Sequence, residues 1–152
     1  MTVKAMQGRQ PGHVTQFSVF TPNRVGRLHE LIGLLAAHCI HALALSVIDT
    51  TDSAIIRLVV DDPEQTVDLL HQHGFPFTES RPVVVEVNSP EELNRLMSAL
   101  LEAELNINYL YSFIPHPHGK SILGMGMEDN EIAEEVLKRH QFPVLRQADL
   151  SR

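Results

Sequence analysis

The stretch DPEQTVDLLHQHGFP, Asp62 to Pro76, returns as DNEIAEEVLKRHQFP, Asp129 to Pro143, at an offset of 67 residues (129 − 62). Asp62 falls on Asp129, His73 on His140, and Phe75-Pro76 on Phe142-Pro143. In the first copy Asp62 is placed to cap a helix, Pro63 suits the first helical position, and Gln65 is the capping-box partner. Gly74 ends that helix near His73, and the apolar Phe75 to Phe77 leads into a strand. A constant offset over such a stretch argues for an internal duplication.

Working outward, Val14 to Phe20 alternates Thr15, Phe17 and Val19 against Gln16, Ser18 and Phe20, the period of a half-buried strand. Thr21-Pro22-Asn23 ends it. Leu28, Leu31, Ile32, Leu35 and Cys39 then recur at helical spacing, which predicts a helix over Val25 to His38 with Asn23 as its N-cap. Strands over Ile40 to Asp49 and Ser53 to Val60 follow, joined by the short polar turn Thr50-Thr51-Asp52. The order strand, helix, strand, strand, helix, strand begins again over Val83–Val87, Glu91–Ala103, Ile107–Ile114, Lys120–Met127, Asn130–His140 and Val144–Asp149, with Ile40 falling on Ile107.

The expectation is an α+β chain: two ferredoxin-like βαββαβ sandwiches in tandem, with antiparallel sheets and helices on one face of each. A flexible tail, 1–12, precedes modules at 13–80 and 81–150. Each half is small for an independent domain, so it should lean on the other or on a second chain. Ile55 and Val59 put apolar side chains on the face that Ile56, Leu58 and Val60 do not use, and Tyr109, Tyr111 and Phe113 oppose Leu110 and Ile114. A sheet with one wet face would alternate more cleanly, and a homodimer is the simplest cover.

Composition narrows the class. The chain is 43% hydrophobic and 20% charged, which suits a packed core rather than disorder. Its formal charge of −7, without a cluster of Lys and Arg, gives no stripe for a phosphate backbone, so nucleic acid is not an expected partner. No apolar run approaches the ~20 residues of a membrane span, and the polar start lacks a signal peptide's apolar region. The single cysteine, Cys39, sits in the apolar run Leu34 to Ile40 and reads as core packing in a reducing cytoplasm. His71-Gln72-His73 and His116-Pro117-His118 lack the further ligands of a metal site, so neither a metal nor another cofactor is expected.

The segment Thr21-Pro22-Asn23-Arg24-Val25-Gly26-Arg27-Leu28, between a strand and an amphipathic helix, resembles the turn of ACT domains, in which an Asn or Asp and then a Gly precede a Leu. Ile40-His41-Ala42-Leu43-Ala44-Leu45 is similar to the family's second strand, and Ile107-Asn108-Tyr109-Leu110-Tyr111 more closely so. With the doubled element order, the resemblance covers nearly everything after Gly12. It implies a regulatory sensor, not an enzyme, that binds an amino acid or similar small carboxylate and acts through a homodimer or on a separate enzyme. Carried over residue by residue, it implies a ligand site at Asn23, Arg24, Val25, Gly26, Arg27 and Leu28, with Ala42 and Leu43 added from the second strand. The physics agrees, because a helix start offers free amides and a positive dipole end, and a glycine lets a ligand approach the backbone. Arg24 and Arg27 are unfavourable at a helix start unless an anion is near, although solvated arginines there are common.

The second module departs from this pattern. Its turn, Asn88-Ser89-Pro90-Glu91-Glu92-Leu93, has no glycine and is shorter by two residues when Leu28 is set on Leu93, an offset of 65 (93 − 28) instead of 67. Ser89, Pro90 and Glu92 form a capping box that satisfies the donors a ligand would use, and two glutamates repel a carboxylate. The alternative class is a small phosphate-handling enzyme of the acylphosphatase type, which Val25-Gly26-Arg27 faintly resembles. That family also places an asparagine on the middle strand of the same module, and Ile40 to Asp49 contains none.

Overall fold

Phe17 and Val19 stand two residues apart and so share one face of a strand, where they meet Ile56, Leu58 and Val60 from a second strand. Leu31 and Leu35 from one helix and Leu69 and Leu70 from another close over them, with Ile40 and Phe75 at the margin. A second core repeats this plan with Val83, Val85, Met125, Leu96, Leu100, Leu137 and Phe142. Each sheet thus has its helices on one face, as the side-chain periods dictate.

The computed structural model describes residues 12–22, 26–114 and 121–151. The elements are β1 (Gln16–Pro22), α1 (Arg27–Ala37), β2 (Ala42–Asp49), β3 (Ser53–Val60), α2 (Pro63–Gln72), β4 (Phe77–Ser80), β5 (Val83–Glu86), α3 (Pro90–Glu102), β6 (Ile107–Ser112), β7 (Ile122–Met127), α4 (Asn130–Arg139) and α5 (Gln147–Leu150). The described residues form two compact units, one running to Ser80 and resuming at Gln147, the other Arg81–Arg146. The first sheet has the order β2-β3-β1-β4 and the second β5-β7-β6, with every pairing antiparallel. Val85 and Val144 form an isolated bridge at the place of a fourth strand. Tandem ferredoxin-like sandwiches are therefore the architecture.

The repeat is deeper than one offset. Ile40 N donates to Leu35 O and Leu105 N to Leu100 O, so α1 and the start of β2 match the second unit at 65 residues (105 − 40). Phe75 N donates to Leu70 O and Phe142 N to Leu137 O, at 67 (142 − 75). Phe17 faces Leu58 as Val83 faces Met125, which sets β1 at 66 (83 − 17). The second turn after the first strand is thus one residue shorter, not two, and the second hairpin two longer. The partner of Ile107 is accordingly Ala42, not Ile40: both precede the same register shift, between Ala42 and Ala44 and between Ile107 and Tyr109.

Three local expectations are corrected. Gly26, not Asn23, is the N-cap of α1. Cys39 is exposed rather than in the core, because the helix ends at Ala37 and Cys39 takes a left-handed φ of 59°, which turns its side chain out and brings Ile40 in. The strand expected over Val144–Asp149 gives way after one bridge to α5. Gln147 draws the chain off the sheet: its amide donates to Gly12 O, its Oε1 accepts from Thr15 N, and its Nε2 donates to Val60 O.

On the sheet faces away from the helices, the two units trade volumes across equivalent pairs. Ala44 faces Val59 and Ser46 faces Arg57 in the first, whereas Tyr109 faces Gly126 and Tyr111 faces Gly124 in the second. The tyrosine rings lie stacked 6.2 Å apart over those glycines, so that a Cβ on Gly126 would stand 2.1 Å from Tyr109 and one on Gly124 2.6 Å from Tyr111.

Candidate functional site

The sheet order sets the end of β2 beside the start of β3, and the start of β3 beside the end of β1. Asp49 and Thr21 both face Ala54 across their strands, and two rungs along, on the same face, Val47 and Val19 both face Ile56. Ala54 carries only a methyl group, so a gap opens between Asp49 and Thr21. The start of α1 lies along this gap. The result is an open cavity of about 280 Å3 walled by Thr21 and Pro22 of β1, Arg27 and Leu28 of α1, Val47 and Asp49 of β2, and Ala54 and Ile56 of β3.

Gly26 begins α1 at φ 95° and ψ −16°, a left-handed conformation that glycine adopts without steric cost. A Cβ there would meet nothing within 4 Å, so φ alone demands the glycine. Among the described residues no side chain caps this helix, and its first-turn amides lack the intrahelical acceptors that later turns enjoy. Arg27 donates through Nη1 to Glu30 Oε2 at 2.8 Å, and its guanidinium carbon stands 4.4 Å from the centre of the Phe75 ring. Its Nε is buried and has no hydrogen-bond partner among the described residues. A buried, unpaired donor of a charged group is costly, and a bound anion would remove that cost.

Of the eight residues expected at a site, Gly26, Arg27 and Leu28 stand together at this turn. Asn23, Arg24 and Val25 lie outside the described residues. Ala42 and Leu43 sit at the other end of β2, seven and six residues from Asp49 and hence about 20 Å or more away at the rise of a strand. Ala42 instead borders a separate depression of about 310 Å3 with Ile32, Leu35, Ala36, Cys39 and His41. Val47, Asp49, Ala54 and Ile56 were not singled out from the sequence. The usable signal was topological: the βαββαβ order already brings the β2–β3 hairpin to the end of β1.

The equivalent turn of the second unit is closed. Ser89 Oγ accepts from Glu92 N at 3.1 Å, and Glu92 Oε2 accepts from Asn88 N at 2.7 Å, which is the expected capping box. Asn88 Nδ2 donates to Glu86 Oε2, and Asn88 Oδ1 accepts from Ser121 N. At the offsets of the repeat, Arg27 becomes Glu92 (27 + 65) and Asp49 becomes Ile114 (49 + 65). Both charges that line the first cavity are missing from the second.

The described histidines form no cluster. Among the described residues no group of three or more His, Cys, Asp or Glu side chains could bind a metal. His71 packs edge-on to Phe77 at 5.0 Å, while His116 and His118 lie outside the described residues. His41 Nδ1 lies 2.7 Å from Asp61 Oδ2, and its amide donates to Asp61 Oδ1. Asn106 and Glu128, their counterparts, are joined in the same way, Nδ2 to Oε2 at 2.9 Å, which marks this clip as part of the repeat's frame.

Over residues 13–152 the sequence matches the ACT domain pair family, and the chain belongs to it. It is similar to the crystal structure of protein BT0572 from Bacteroides thetaiotaomicron, with 27% identity, a TM-score of 0.83 and coverage of 92% of this chain and 96% of that one. The fold is shared with the regulatory subunit of aspartate kinase from Thermus thermophilus, at 14% identity and a TM-score of 0.57 over 86% of this chain and 93% of that one. Aspartokinase alpha and beta subunits are alike at 17% identity and a TM-score of 0.55 over 84% and 91%. No functionally curated protein matches the sequence. Among the described residues no helix is long and apolar enough to cross a membrane.

Proposed function

We propose that this chain is a non-catalytic regulatory sensor whose first module binds a small carboxylate, an amino acid above all, at the start of α1. The observation that carries this reading is the Gly26 start, uncapped by any described side chain, beside Arg27, whose buried Nε has no partner among the described residues, on the wall of an open cavity. Membership of a regulatory family supports it, as does the fold shared with regulatory subunits of aspartate kinase. The capped start of α3 serves structure, and the second module takes no ligand at its own turn.

The bound state is passed on through a homodimer in the cytoplasm or to a separate enzyme. Phe20 and Ile48 are 39% and 37% exposed and flank the half-buried Ile55 on one rung of the face away from the helices. That rung is the surface a second copy would cover.

A thermal-shift screen of the intact chain against the common amino acids tests the reading. A ligand present at 100 times its Kd adds about 2.7 kcal/mol of stability, a shift of several degrees. The best ligand should lose its effect with Arg27→Met and keep it with Glu92→Gln. A ligand indifferent to Arg27→Met, or a chain that no amino acid stabilises, overturns the reading. Sedimentation equilibrium of a Phe20→Ser variant checks the dimer, which that change should weaken.

A further inference from the structure

The cavity walls say more about the ligand than the helix start does. A carboxylate at Arg27 would leave the rest of the molecule against Leu28, Val47 and Ile56, which are apolar, and Asp49, which is not. Asp49 stands on the same rung as Thr21 with only the methyl of Ala54 between them, and both Asp49 and Arg27 line the one cavity. Opposite charges on one cavity match a dipolar ligand. The second module, which has a glutamate at the position of Arg27 and Ile114 at the position of Asp49, keeps neither charge.

Resting on the site proposed above, we infer that the ligand is an α-amino acid with an uncharged aliphatic side chain, and that Asp49 is the residue that selects its ammonium group. Arg27 and the amides of the first turn take the carboxylate. Leu28, Val47 and Ile56 take the side chain, and their apolar surface rejects a second charge, since a charge desolvated without a partner is strongly unfavourable. A cavity of about 280 Å3 has room for the whole of such an amino acid.

Calorimetry on the full chain with L-leucine, L-valine, L-aspartate, L-lysine and 4-methylpentanoate, which is leucine without its amine, provides the test. Leucine or valine should bind at least about tenfold more tightly than aspartate, lysine or 4-methylpentanoate, tenfold corresponding to 1.4 kcal/mol. Asp49→Asn should erase most of the advantage of leucine over 4-methylpentanoate. Aspartate or lysine binding as tightly as leucine, or a leucine to 4-methylpentanoate ratio near one in the unaltered chain, overturns this inference. The site itself then survives provided Arg27→Met still abolishes binding of whichever acid is preferred. Binding that persists in Arg27→Met, or no heat with any of the five probes, overturns the site and the inference together.

Discussion

The two helices that follow the first strand of each module begin in opposite ways on the same frame. α1 starts at a left-handed glycine that no described side chain caps, while α3 starts at Ser89 with a proline behind it and a reciprocal Glu92 bond. The charges on their first turns are exchanged as well: Arg27 and Glu30 correspond to Glu92 and Arg95. Yet Arg27 lies over Phe75 and Arg95 over Phe142, at 4.4 and 4.1 Å, so either position can supply the cation that packs on the same ring. A duplicated fold needs the cation and the ring, but it does not need the helix start. That start is free to be sealed, as in α3, or left open, as in α1.

The largest effect should come from breaking the traded volumes of the sheet faces. Gly126→Val puts a branched side chain where a Cβ already stands 2.1 Å from Tyr109, and should cost about 3 kcal/mol in urea unfolding, the upper range for overpacking. Adding Tyr109→Ala recreates the Ala44 and Val59 pair of the first module and should recover at least half of the loss. A double variant no more stable than Gly126→Val would mean that the two faces are not interchangeable solutions.

Closing the open site sharpens the comparison next. Ala54→Leu fills the gap between Asp49 and Thr21 and should weaken binding of the best amino acid by roughly 1.5–3 kcal/mol, the worth of hydrogen bonds to a charged group. Its melting temperature should hold or rise, since cavity filling commonly stabilises. Calorimetry and thermal unfolding of the same sample read both.

Opening the sealed start is a smaller change. Ser89→Ala removes an N-cap bond and should cost about 1 kcal/mol, measured by denaturant unfolding. Gly26→Ala should cost a similar amount for a different reason, the 1–2 kcal/mol or so that an L side chain meets at positive φ.

The smallest effect separates frame from function. His41→Asn copies the Asn106 and Glu128 clip into the first module and should change stability by no more than about 0.5 kcal/mol, as expected for an exposed pair. A larger loss, or loss of ligand binding, would give His41 a role that its counterpart lacks.

Residues bonded within about four positions of one another were legible from the sequence. Asp62 and Asp129 cap α2 and α4 through Gln65 N and Ile132 N, and Ser89 caps α3, because the accepting side chain and the donating amide lie in one helical turn whatever surrounds them. The period of Phe17, Val19, Ile56 and Leu58 likewise set which face is buried, since a strand alternates by covalent geometry. Of the candidate site, the turn from Gly26 to Leu28 was readable and the far wall of the cavity was not.

The tertiary structure decided whatever joins distant segments. Asp49 and Arg27 line one cavity although 22 residues separate them (49 − 27), and the small side chain of Ala54 that opens it matters only once β3 lies between β1 and β2. Cys39 looked like core in an apolar run, but the chain reversal at the end of α1 turned it outward. Val144–Asp149 repeated the pattern of a strand, and the hydrogen bonds of Gln147 to Gly12, Thr15 and Val60 made it a helix turn instead. A local pattern determines which conformations a segment tolerates, and the partners brought from elsewhere in the chain determine which of them is occupied.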